Sequence, residues 1–150
     1  MKKKWTYNNY PNGRLKEEGV LIDGKKDGLW TEWYDNGQRK SEENYKDGKM
    51  YGLVIQWYRN GEKKSQGTLK ENGKIYRFYT EWYDNGQKKT EHGLDSIDGK
   101  LNGSNKRWYE NGQKKFEQTY KNNNLIVSKR WDQDGTLTFD IWTPPNDIYK

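Results

Sequence analysis

The sequence has no cysteine, one histidine, three prolines and no long apolar run. Without cysteine, disulfides, cysteine-ligated iron–sulfur clusters and thiolate zinc sites are excluded. One histidine and no glycine-rich phosphate loop leave little from which to assemble a nucleophile, a base and an electrophile. Aliphatic material is scarce as well, since Leu, Ile, Val and Phe together make up 22 of 150 residues. That excludes the thick core of doubly wound and barrel-enzyme folds, whose strands are near-continuous Val, Ile and Leu. No segment approaches the ~18 apolar residues of a membrane span. The opening MKKKWTYNNYPNG has a basic start with no apolar stretch behind it, unlike a secretory signal, so a cytoplasmic location is the expectation.

In place of aliphatics the chain has rings and charge: 8 Trp, 12 Tyr, 33% charged residues and a formal net charge of +6. The first 75 residues carry 16 basic and 11 acidic side chains, the last 75 carry 12 and 11. A basic balance steers acidic partners, but lysines interleaved with glutamates describe first of all a solvated surface.

The rings recur at fixed intervals. WYDNGQ at 33–38, WYRNGE at 57–62, WYDNGQ at 82–87 and WYENGQ at 108–113 are four strong copies, flanked by the degenerate YPNGR at 10–14 and WDQDGT at 131–136. The marker glycines Gly13, Gly37, Gly61, Gly86, Gly112 and Gly135 are separated by 24, 24, 25, 26 and 23 residues. Between them lie second turn signals, IDGKKDG at 22–28, KDGKMYG at 46–52, ENGK at 71–74 and IDGKLNG at 97–103. Asn-Gly and Asp-Gly are strong hairpin signals because glycine takes positive φ and Asn or Asp tolerates it. Each period therefore reads as two strands and two tight turns. The expected fold is all-β, a single elongated, twisted antiparallel meander of about 10–12 strands built from tandem hairpins. It is read as one repeat domain over 1–150, with repeats near 10–33, 34–57, 58–82, 83–108 and 109–131 and a C-terminal cap or tail over 132–150.

Register follows from the Asn-Gly turns. A three-residue loop, Asp35-Asn36-Gly37 with the glycine in a bulge, sets Glu32 against Lys40 and Glu81 against Lys89. It is neutral at Gln56 with Lys64 and places Arg107 against Lys115. The same register puts Leu29, Thr31, Trp33 and Tyr45 on one face, followed by Leu53, Ile55, Trp57 and Leu69, then Phe78, Thr80, Trp82 and Leu94, as the more apolar side. Trp33, Trp57, Trp82 and Trp108, with Gly37, Gly61, Gly86 and Gly112, are expected to be structural. Tyr34, Tyr58, Tyr83 and Tyr109 fall on the opposite face near the turns. With basic neighbours such as Arg107 they have the composition of a protein-binding patch, set against the plainer role of covering lysine stems. His92 is expected to be an exposed or half-packed sheet residue. Glu42, Glu91 and Glu117 share one strand position that suits lateral pairing with lysine, not the opposed carboxylates of sugar hydrolysis. No catalytic residue, metal site or cofactor is expected.

The WYxNGxxKxExxYKDGKxxG pattern, fullest over 33–52, resembles the variant MORN repeat, and the likeness covers about residues 7–140. The chain departs from it at Arg77, which replaces the glycine found at Gly28, Gly52 and Gly103. It departs again in the two extra residues before Asp98-Gly99, and at Asn122-Asn123-Asn124 in place of Asp-Gly. The resemblance implies tandem hairpins and a bacterial antitoxin or immunity protein, a non-enzymatic binder of a cognate toxin. The alternative it implies is a structural or envelope-associated scaffold with weak affinity for anionic lipid or nucleic acid. Aromatic rings beside lysines can hold single strands, but the interleaved acids and dilute charge argue against nucleic acid. Lys2 to Lys4 with Trp5 offer only a small basic patch to a membrane surface.

Overall fold

Six tight turns of one chemistry shape the chain. At the second of them Tyr34 N–H donates to Gln38 O (2.8 Å), Gly37 N–H donates to Tyr34 O (2.9 Å), and Gly37 has φ 90°. This is the three-residue loop closed by a glycine bulge, and it recurs after Tyr10, Tyr58, Tyr83, Tyr109 and Asp132. The Asp-Gly turns are two-residue turns with both residues at positive φ, as at Asp23 (48°) and Gly24 (81°). Asn122 (51°) and Asn123 (69°) adopt the same conformation without glycine, because a short amide side chain tolerates the left-handed region.

The computed structural model describes residues 2–69, 76–97 and 100–143, so the expected turns at 71–74 and Asp98-Gly99 and the tail beyond 143 lie outside the described residues. The strands are β1 (Lys3–Asn9), β2 (Leu15–Ile22), β3 (Lys25–Trp33), β4 (Arg39–Lys46), β5 (Lys49–Trp57) and β6 (Lys63–Leu69), then β7 (Tyr76–Trp82), β8 (Lys88–Ile97), β9 (Lys100–Trp108), β10 (Lys114–Lys121), β11 (Asn124–Trp131) and β12 (Leu137–Trp142). Their order in the sheet is their order in the chain, an open antiparallel meander of consecutive hairpins with no helix among the described residues. By contact the chain divides into a first unit, Met1–Tyr76, and a second, Arg77–Lys150.

One feature of the register differs from the sequence-based expectation. Trp33 pairs with Arg39 as the three-residue loop requires, but Glu32 then pairs with Ser41, leaving Lys40 as an extra residue. The same step occurs at Gln56 with Ser65, at Glu81 with Thr90 and at Arg107 with Phe116. The expected ion pairs still form, Lys40 to Glu32 at 2.8 Å and Lys89 to Glu81 at 2.9 Å, because long side chains reach diagonally across the bulge. A one-residue shift exchanges the faces of everything beyond it. Tyr45 therefore sits opposite Gly28, on the face of Trp30, and not with Leu29.

The interior is thereby relocated. Leu29, Leu53 and Phe78 are 52%, 43% and 63% exposed, whereas Trp30 and Val54 are each 4% exposed. Trp30 lies over Gly19, whose lack of a side chain makes room for it, since a Cβ there would come within 2.3 Å of the indole. Its Nε1 donates to Val20 O at 3.1 Å, and Lys26 Nζ stands 4.1 Å from its ring centroid. The small hydroxyl residues after three of these bulges, Ser41, Ser65 and Thr90, are buried beside the longer side chains opposite them, and Phe116 takes that place after the fourth.

Candidate protein-binding surface

The tyrosines and asparagines of the turns are joined from repeat to repeat. Tyr10 Oη donates to Trp33 O (2.8 Å), Tyr34 to Trp57 O (2.9 Å), Tyr83 to Trp108 O (3.0 Å) and Tyr109 to Trp131 O (3.1 Å). Beside them Asn36 Nδ2 donates to Arg59 O (2.9 Å), Asn85 to Glu110 O (3.0 Å) and Asn111 to Gln133 O (2.8 Å). Each asparagine also accepts from its own turn, as Asn36 Oδ1 does from Gln38 N–H at 3.1 Å. Trp33, Trp57, Trp82 and Trp108 are half-buried, and the first, second and fourth supply these carbonyls. The rings of Tyr58, Tyr83 and Tyr109 are half-buried under Lys64, Lys89 and Lys115 at 5.8, 5.8 and 5.1 Å, and Tyr34 lies under Arg59 at 5.9 Å. The tyrosine hydroxyls thus have a definite internal job that residue spacing alone did not disclose. The last turn breaks the series, with Asp132 and Asp134 where the others have tyrosine and asparagine. Both carboxylates accept from Thr136 N–H, at 2.9 and 2.8 Å.

The first unit presents an apolar surface on the face away from Trp30. Tyr7, Glu18, Thr31, Glu42 and Ile55 are directly opposed across β1 to β5. Trp5, Leu29 and Leu53 stand two residues along on the same face. Trp5 is 59% and Tyr7 67% exposed, and with Leu29 and Leu53 they are apolar side chains left to solvent by a chain that has few to spare.

In the second unit the position held by Glu32, Gln56 and Glu81 in earlier repeats is Arg107, and one repeat later Arg130. The row Thr90, Arg107, Phe116, Arg130, Phe139 runs directly opposed from β8 to β12, so both guanidinium stems rise from one face on either side of Phe116. An open cleft of about 610 Å³ is lined there by Asn105, Arg107, Lys115, Phe116, Arg130 and Trp131, with Asp132 also on its wall. On the opposite face Glu91, Lys106, Glu117, Lys129 and Asp140 form an alternating row. Its ion pairs include Lys106 to Glu91 at 3.7 Å and Lys129 to Asp140 at 3.2 Å. Glu91 and Glu117 take lateral partners too, Lys88 and Lys114, as their shared strand position led one to expect.

His92 is next to this cleft, opposite Asn105, with its ring 6.4 Å from that of Tyr79. Burial first, and then the field of Arg107, hold its pKa below the ordinary 6.5. The unfolded chain therefore binds the proton more readily, so the contribution of neutral His92 to stability is complete above pH ~6.5 and declines as pH falls below it. In an NMR titration its midpoint is expected to lie below that of the unfolded chain, and Arg107→Gln to move it upward. An unmoved midpoint in that variant would remove Arg107 as a cause.

The family model for the MORN repeat variant matches residues 26–47 and 101–122. A comparison with curated proteins gives no match. Each matched segment holds one hairpin, β3 with β4 and β9 with β10, and its glycine-closed turn. Such repeats are generally binding or scaffolding elements and not catalytic ones. Two hairpins of the chain thus match the variant MORN repeat, and the same turn hydrogen bonding recurs at four further turns.

Proposed function

We propose that the chain is a non-enzymatic protein-binding repeat protein that neutralises a cognate toxin in the cytoplasm by covering its active surface, in the manner of an antitoxin or immunity protein. The observation that supports this reading is the exposed apolar face of the first unit. Trp5, Tyr7, Leu29 and Leu53 are not used by the fold, and large exposed apolar side chains rimmed by charge, here Glu18 and Glu42, are the composition of a protein contact. Tyr34, Tyr58, Tyr83, Tyr109 and Arg107 belong to the same proposal, their half-exposed rings and the guanidinium supplying contacts along the turns and in the cleft.

The test is co-expression with a growth-arresting protein encoded beside this one. Protection and a stoichiometric complex are the expected result. Leu29→Asp with Leu53→Asp should keep the fold, because both side chains are exposed, and should abolish protection. Full protection by that variant would overturn the assignment of this face, and absence of any complex would overturn the neutralising role.

A further inference from the structure

We infer that the cleft between Arg107 and Arg130 is a receptor for one carboxylate of the partner protein, an Asp or Glu side chain set next to an aromatic or apolar residue. The inference rests on the protein-binding reading and names the chemistry that the second unit would recognise.

Charge pairing distinguishes this cleft from the alternating face behind it. In the same unit Lys88, Lys89, Lys106, Lys114 and Lys129 each have a carboxylate within 4 Å. Arg107, Arg130 and Lys115 have none among the described residues. Lys115 is held only by the ring of Tyr109 at 5.1 Å, and Arg130 by that of Phe139 at 5.4 Å. Arg107 and Arg130 are exposed, and both rise beside Phe116, on strands two ladder steps apart, about 10 Å. A carboxylate entering between them would receive charge-assisted hydrogen bonds from planar donors suited to its two oxygens. Phe116 and Trp131 line the cleft, so the group would be partly shielded from water, where such bonds are stronger.

Asn105 adds a second, independent observation. Its Oδ1 is buried without a hydrogen-bond partner while its side chain lines the cleft. An uncompensated buried polar atom is costly and calls for a partner. A half-turn of the amide exchanges acceptor for donor at nearly equal shape, so the pairing of this side chain can change when the cleft is filled.

The wall of the cleft decides between a protein acid and a nucleic acid. Asp132 lines the cleft and Asp134 follows it in the terminal turn, both bonded to Thr136 N–H. A single carboxylate sets one charge against these acids and gains two arginines, whereas a run of phosphates would repeat the repulsion along its length. Nor is there a continuous basic track, since the opposite face alternates in sign.

The test uses the full chain and defined probes, with the arginine Nε–Hε and His92 ring signals followed by NMR. N-acetyl-Phe-Glu-Phe-amide should shift the Arg107, Arg130 and His92 signals saturably, and the Gln counterpart should bind at least tenfold more weakly. Arg107→Gln and Arg130→Gln should each weaken the Glu peptide about tenfold with an unchanged circular dichroism spectrum, while Lys129→Gln on the other face should not. Equal binding of the Gln peptide, shifts that do not saturate, or tighter binding of inorganic phosphate or an eight-residue oligothymidylate would each overturn the inference. A chain that takes the Glu peptide but protects against no toxin keeps the receptor and loses the neutralising role. Toxin protection that survives the double arginine variant keeps that role and overturns this cleft as the partner's receptor.

Discussion

Trp30→Ala is expected to destabilise the protein by about 3–5 kcal/mol, the range for removing a large buried ring. Few side chains can substitute for it, because Val54 is the other apolar residue buried to the same degree among those described. The loss removes the indole above Gly19 and the hydrogen bond to Val20 O at 3.1 Å, and it uncovers the Lys26 stem. Gly19→Ala approaches the same contact from the other side. Its methyl would stand 2.3 Å from an indole carbon, so the ring must move, at a cost of about 1–3 kcal/mol for overpacking. In the double variant the methyl has room, and the two costs should fall short of additive. Denaturant midpoints of the four proteins measure this. A Trp30→Ala cost below about 1 kcal/mol, an ordinary surface value, would show that Trp30 is not the anchor of the first unit.

Tyr34→Ala and Tyr34→Phe separate the two things a turn tyrosine does. The phenylalanine variant loses only the bond to Trp57 O at 2.9 Å, and about 1 kcal/mol is expected. The alanine variant also loses a half-buried ring and the cover it shares with Arg59 at 5.9 Å, so about 2–3 kcal/mol is expected. Equal losses in the two variants would mean that the ring contributes nothing beyond its hydroxyl. The comparison also bears on binding, because an alanine at a turn tyrosine loosens the array that presents the surface. The phenylalanine change is the cleaner probe of a partner contact.

The hairpins, the turn loops and the near-constant period were legible because each depends on residues adjacent in sequence: Asn36-Gly37 bends the chain wherever it sits. The inner face was not legible. It turns on whether Lys40 counts as a ladder residue, and nothing in the string distinguishes a lysine that pairs across from one that is passed over. Once Lys40 is passed over, Ser41 and Trp30 go inward and Leu29 outward, although leucine is the residue that composition would bury. The serine and threonine at 41, 65 and 90 were the available signal, since a small residue recurring four places after Gly37, Gly61 and Gly86 fits a tight interior better than an exposed strand. The arginine cleft was half visible. Arg107 against Lys115 stood out as the one like-charged pair in a series otherwise opposite in charge or neutral. Its neighbour Arg130 carries no such signal, because Thr138 stands in the degenerate last repeat where the others have Lys40, Lys64, Lys89 and Lys115.

The tyrosine and asparagine bonds between the glycine-closed turns run one way, from donors of an earlier repeat to carbonyls of a later one, and that gives this edge of the array a direction. A copy duplicated between Gly37 and Gly61 would bring its own phenol and amide and would find carbonyls waiting. A copy added after Thr136 would meet neither donor from the turn before it, because ionised Asp132 and Asp134 only accept, both of them from Thr136 N–H. Lengthening of such an array is therefore easier in its middle than at that turn, where two carboxylates stand in place of the phenol and the amide.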